Sequence, residues 1–255
     1  MSARDLPAVL WLALVLGVMP WGAIESSRRQ RAGAPRSARG ERLRARSRPQ
    51  LYLASVLSIG QLLFVTVLLD GIDRWPTVRK SLAFPPHGIA WVLGAVCAHQ
   101  VVSLAAMALR RLRRLPLEAG TVQLLPRTRG ELARFAPLAL MAGLYEEFLY
   151  RGFAPDHLAR WGLPPWLAVA VATASFGLSH GYKSLVGMVR SALIGLVLAA
   201  PVVVTGTVLP SIVAHTLMDL LAGVNTLPLA RRLGVAVPEP EPAPTAAAET
   251  RAAGR

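Results

Sequence analysis

One cysteine in 255 residues leaves no disulfide framework and no thiolate metal site. That residue, Cys97, stands in an apolar run and reads as a small core side chain. Charge is scarce at 16% of residues, against roughly 25% in ordinary soluble domains. Acids are scarcest, 14 against 28 lysines and arginines, for a formal net charge of +14. The pattern HExxH does not occur, so the usual helix-borne zinc signature is missing. No internal repeat is visible. Aromatics do not interleave the basic blocks, as they would on a surface for single-stranded nucleic acid, so no nucleic-acid partner is expected.

What the chain has in quantity is apolar surface: 53% hydrophobic residues and a mean hydropathy of +0.45. It falls into segments of near-spanning length at 6–24, 51–70, 88–109, 133–150, 163–180, 185–204 and 207–224. The expected fold is all-α, a polytopic transmembrane helical bundle of about seven spans, six to eight. The first segment lacks a small-x-small cleavage site and reads as a retained span rather than a signal peptide. The last two are separated only by "TGT" and form either a tight helical hairpin or a span with a re-entrant piece. Residues 1–50 then hold one span and a basic cytoplasmic loop, with 28–48 flexible. Residues 51–130 hold two spans, 131–225 a polar-motif core, and 234–255 a disordered Pro/Ala-rich tail. Placing the arginine-rich blocks inside, against anionic lipid, puts the N-terminus outside and the C-terminus inside.

Three constellations interrupt the apolar helices. Glu146, Glu147 and Arg151 stand together in "LYEEFLYRGF". Positions 147 and 151 share a helix face while 146 lies about 100° away, so Arg151 can pair with Glu147 and leave Glu146 for general-base work. A structural ion pair with a spare glutamate is the plainer alternative. "FGLSH" ends an apolar segment at His180. "HTLMD" stacks His215 over Asp219 at i, i+4, where the carboxylate can fix the imidazole tautomer. Helix-to-helix polar glue or a proton relay would use the same pair. Each such residue must face the bundle interior or a wet cavity. Converged, they suit water activation and attack on an amide. A Glu/His zinc site is the less favoured use of the same set. Arg190 is a carboxylate partner, a substrate-facing residue or a snorkelling arginine. His87, His99 and His157 read as structural: His87 beside a span, His157 in a polar connection, and His99 without a nearby carboxylate.

"EEFLYRG", "FGLSH" and "TGTVLPSIVAHTLMD" together resemble, in order, the EExxxR, FxxxH and HxxxN/D motifs of the CPBP family of CAAX prenyl endopeptidases and bacterial Abi-type membrane proteins. The resemblance covers about 130 to 225. It implies a glutamate-type intramembrane protease, with an older metalloprotease reading, in the bacterial cytoplasmic membrane. In that pattern Glu146 with His180 resembles the water-activating pair, and Glu147 with Arg151 its support. His215 and Asp219 resemble the oxyanion-stabilising pair, although the prenyl endopeptidases usually carry Asn at the second position. An ionised aspartate cannot donate to an oxyanion, so His215 would be the donor. The implied substrate is a membrane- or lipid-anchored protein, or one with a C-terminal tail, as for the myxosortase branch; no cofactor is implied. A non-catalytic scaffold or immunity protein is the competing expectation. A proton transporter is the third, and the absence of an inverted repeat speaks against it.

Overall fold

The computed structural model describes residues 5–31, 47–72 and 75–238. Among these there is no strand, and helices carry the chain throughout. The first helix runs as α1 (Leu6–Ala13), a π-helical turn (Leu14–Val18) and α2 (Met19–Arg31). There follow α3 (Arg48–Ile72), α4 (Pro76–Leu82), α5 (Gly88–Leu112), α6 (Ala119–Leu124) and α7 (Arg129–Glu147). A second π-helical turn (Phe148–Phe153) leads into α8 (Ala154–Arg160), α9 (Pro165–Ser179), α10 (Leu185–Thr205) and α11 (Leu209–Arg232).

Five helices are long and apolar enough to cross a membrane by length and composition: Leu6–Arg29, α3, α5, α10 and α11. The other two expected spans depart from that standard for different reasons. At 15 residues, α9 reaches only ~22 Å at 1.5 Å per residue, short of ~30 Å of hydrocarbon. α7 is long enough but carries Glu131, Arg134, Glu146 and Glu147. The outer faces of the long helices expose Leu53, Leu57 and Phe64 on α3 and Leu193, Leu196 and Val203 on α10, as a lipid solvent requires. Cys97 is exposed too. It is not a core residue, because α5 turns Val92, Ala95 and His99 inward and leaves position 97 on the opposite side.

Several boundaries follow from local chemistry. Thr128 caps α7 by accepting from the Glu131 amide at 3.1 Å, and Glu131 reaches back to the Arg127 amide at 2.7 Å. Gly206, at φ +70°, closes α10 in the left-handed conformation. The hairpin alternative for the last two segments is therefore the one adopted, with Ser211 Oγ donating to the Leu198 carbonyl across it at 2.7 Å. α4 has no cap of its own; Asp70, seven residues upstream, accepts from the Thr77 and Val78 amides at 3.0 Å each.

Two expected irregular segments are partly ordered. Arg28–Arg31 continue α2 as helix, and 32–46 of the expected loop lie outside the described residues. The tail begins with a Gly234 cap at φ +67° and then docks. Val235 is buried, Leu117 donates its amide to the Ala236 carbonyl at 2.9 Å, and Arg111 grips the Leu233 carbonyl. The rest of the expected tail, 239–255, is outside the described residues.

α7 is the central element. One face packs on α3, where Tyr52 meets Phe135 edge-on at 5.6 Å beside Leu138 and Ala139. Its C-terminal end, with the π turn, packs Tyr145, Phe148, Leu149 and Phe153 against Leu12 and Val15 of the first helix. α5, α10 and α11 share a separate cluster of Val92, Ala95, Ile194, Leu198, Ala214 and Met218. The polar residues collect between these two bodies of apolar packing.

Candidate active site

Gly143 sets the approach of α7 to α11. A Cβ there would lie 2.5 Å from Thr216 Oγ1 and 3.1 Å from both the Ile212 carbonyl oxygen and the Thr216 amide nitrogen. One turn further along α7 is Glu147, which this close crossing brings to His215. Gly143→Ala gains helix propensity but must separate two backbones, and overpacking of this kind costs about 1–3 kcal/mol. The expected result is a lower unfolding temperature in detergent, read by a thermal melt.

Glu147 is fully buried and is the hub. Its Oε1 accepts from Arg151 Nη1 at 3.1 Å and from His215 Nδ1 at 2.7 Å. Arg151 also donates from Nη2 to the Gly195 carbonyl at 3.1 Å and lies over the Phe176 ring, 4.3 Å from its centroid. Gly195 keeps this contact close: a Cβ there would lie 3.0 Å from Phe176 and 3.1 Å from the guanidinium, so one of them would have to give. The motif runs straight from α7 into the π turn, a local widening of the helix that recurs at functional sites.

Glu146 points elsewhere, as the sequence spacing predicts. Its Oε2 is 3.7 Å from His215 Nε2, and its side chain keeps 23% exposure, whereas that of Glu147 has none. Asp219 Oδ2 lies 3.8 Å from the same nitrogen. His215 therefore binds Glu147 through Nδ1 and turns Nε2 toward Glu146 and Asp219. The acid that fixes its orientation is Glu147, not Asp219 one turn along, because the α7–α11 crossing brings a closer carboxylate to Nδ1.

His180 caps α9 and donates Nδ1–H to the Phe176 carbonyl at 2.8 Å, which leaves Nε2 with its lone pair. Phe176 stands edge-on to both histidines, with centroids 4.9 Å from His180 and 6.3 Å from His215. Glu146, His180, His215 and Asp219 all line one cavity of about 340 Å³, which also borders Phe176, Ile194 and Met218. Four of the six expected site residues thus face a common space; Glu147 and Arg151 stand behind them.

His99, read as structural, is buried; it borders the cavity, and its Nε2 accepts from Arg190 Nη2 at 2.9 Å. His157 is buried in α8 rather than in a polar connection, between the rings of Phe153 and Trp161. The cavity rim went unnoticed altogether. There Arg110 donates to Glu118 and to Ser184 Oγ, and Ser184 Oγ donates to Glu118 at 2.7 Å. Burial pushes the Glu118 carboxyl up, but the Ser184 hydroxyl and the Arg110 guanidinium together hold it below its ordinary value. Helical periodicity cannot reveal these contacts, since their partners come from separate helices and loops.

Among the described residues no group of three His, Cys, Asp or Glu side chains is arranged to hold a metal ion. Of the site's carboxylates and histidines, Glu147 and His215 bond directly, whereas His180 bonds the Phe176 carbonyl.

Residues 128–221 match the family described as type II CAAX prenyl endopeptidase Rce1-like. The match begins at the cap of α7 and ends just beyond Asp219, so it takes in all three polar motifs. No curated protein and no solved structure matches the chain.

Proposed function

We propose, on the premise that residues 128–221 belong to the Rce1-like CAAX endopeptidase family, that this integral membrane protein hydrolyses a peptide bond in a membrane- or lipid-anchored protein. The observation that carries the reading is the division of labour between adjacent glutamates. Glu147 is spent on Arg151 and His215, while Glu146 faces the cavity that His180 and His215 also line.

In this reading Glu146 and His180 Nε2 hold a water, and Glu146 takes its proton as the oxygen attacks the substrate carbonyl. The carbonyl π electrons move to oxygen. His215, protonated at Nε2, donates to that oxyanion, and Glu147 keeps the ring aimed by accepting from Nδ1. The tetrahedral intermediate then collapses and the C–N bond breaks. The proton held by Glu146 passes to the leaving amine, so the products are a carboxylic acid and a free amine. Asp219 places a second carboxylate 3.8 Å from Nε2. No step is routed through a metal. Enzyme and substrate share the bacterial cytoplasmic membrane in this reading.

A membrane proteome of cells lacking the gene, complemented with wild type or with Glu146→Ala, tests this reading. Glu146→Ala is expected to accumulate the same uncleaved C-terminal peptides as the deletion. If the variant restores wild-type processing, the protein acts by binding, as a scaffold or immunity protein would.

A further inference from the structure

The oxyanion of this reaction has one donor, His215 Nε2, and that nitrogen has two acidic neighbours. Glu146 stands 3.7 Å from it and Asp219 3.8 Å. Asp219, one turn along α11 from His215, is a carboxylate and cannot donate. Preorganised sites of this kind commonly aim more than one donor at the developing charge. A second donor here must border the same cavity, keep its proton beside carboxylates, and have no acceptor already.

Tyr182 meets all three conditions. It borders the cavity together with Glu146, His180, His215 and Asp219. Its hydroxyl makes no hydrogen bond among the described residues, whereas that of Tyr52 donates to the Leu124 carbonyl at 3.0 Å. Desolvation first, and then the charges of Glu146, Asp219 and Glu118, raise the phenol above its ordinary value, so it stays protonated. The two carboxylates that flank His215 Nε2 therefore bear on the Tyr182 hydroxyl as well.

The chain fixes this ring from several sides. Tyr182 sits in the turn between α9 and α10, where the Lys183 amide donates to the His180 carbonyl at 2.8 Å. Gly181 lets that turn press on α2: a Cβ there would lie 2.6 Å from Ile24 Cγ1 and 2.9 Å from the Ile24 amide nitrogen. The His180 ring lies 5.9 Å from the Tyr182 ring with 34° between their planes, and Lys183 Nζ stands 5.6 Å from the Tyr182 centroid. Gly120 of α6 comes close as well, since a Cβ on it would rest 3.7 Å from Tyr182 Cδ2. One braced turn thus carries both the imidazole that holds the water and a phenol beside it.

We propose that the Tyr182 hydroxyl is the second oxyanion donor, acting with His215 Nε2, and so is a further catalytic residue. This role rests on the proteolytic reading above. No bond to Tyr182 forms or breaks. The neutral O–H donates to the carbonyl oxygen as that atom gains charge, and the proton stays on the phenol.

The probe is a peptide with an S-farnesylated cysteine followed by three apolar residues, turned over by the full chain in nanodiscs. Tyr182→Phe keeps the ring and removes the hydroxyl. Its kcat is expected to fall about 100-fold with KM within about threefold of wild type, because the bond tightens only as charge develops. Glu146→Gln should bind the peptide equally well with and without Tyr182→Phe, which a displaced turn would not allow. Asp219→Asn offers an amide donor in place of the carboxylate, and in that background Tyr182→Phe is expected to cost less than about tenfold. A wild-type kcat in Tyr182→Phe, weaker binding, a loss confined to KM, or an equal loss in both backgrounds overturns the donor and leaves the protease reading standing. If wild type and Glu146→Gln turn the peptide over at the same rate, the proteolytic reading fails, and the role of Tyr182 with it.

Discussion

Glu146→Gln is expected to slow peptide cleavage by about a thousandfold while the protein melts at essentially the wild-type temperature. The amide keeps the shape of the side chain and its place in the cavity but cannot take a proton from water. Glu146 makes no hydrogen bond to His215, only an approach of 3.7 Å, so its charge is worth little to the fold, within about 1 kcal/mol. Single-turnover cleavage of a farnesylated peptide and a thermal melt, both in nanodiscs, check the two halves. Turnover within tenfold of wild type would remove Glu146 from the chemistry.

The neighbouring residue should behave in the opposite way. Glu147→Ala strands the Arg151 guanidinium, whose side chain is 1% exposed, with only the Gly195 carbonyl and the Phe176 ring for company. Breaking a buried pair by removing one partner costs about 3–5 kcal/mol. The same change frees His215 Nδ1 and with it the aim of Nε2. Stability and turnover are therefore both expected to fall, the latter by more than about a hundredfold. Adding Arg151→Leu separates the two effects. With the stranded charge gone, most of the stability returns, because apolar replacement of a buried pair is often neutral, yet turnover stays lost. An unchanged melting temperature in Glu147→Ala alone would contradict the hub assigned to this side chain.

Adjacent positions with opposite expected phenotypes are a direct product of helical geometry, and this part of the site was legible in advance. The i, i+4 spacing pairs Arg151 with Glu147 and excludes Glu146, and the structure has that pairing. The all-helical class was equally legible from the apolar runs. What could not be read is what depends on how helices cross. His215 seemed to belong to Asp219, one turn along the same helix, but 68 residues separate it from Glu147, the carboxylate it bonds. Arg190 and His99 are 91 residues apart, and no local pattern joins them. Cys97 is exposed rather than in the core, because an apolar helix in lipid hides its facing from a hydrophobicity profile, and His157 is buried although its short helix is polar in sequence.

The docked segment after α11 has a consequence for the order in which the protein is made. Glu118, Arg110 and Ser184 form the cavity rim, and the Leu117 amide beside them is tied to Ala236. Every carboxylate and imidazole of the site is translated by Asp219, but the brace on the rim comes from residues translated later. A nascent chain that has just delivered its last polar motif therefore has all its rim residues but not yet the backbone tie from Ala236 to Leu117. The tie between Leu117 and Ala236 can close only once Leu233 to Val237 have emerged.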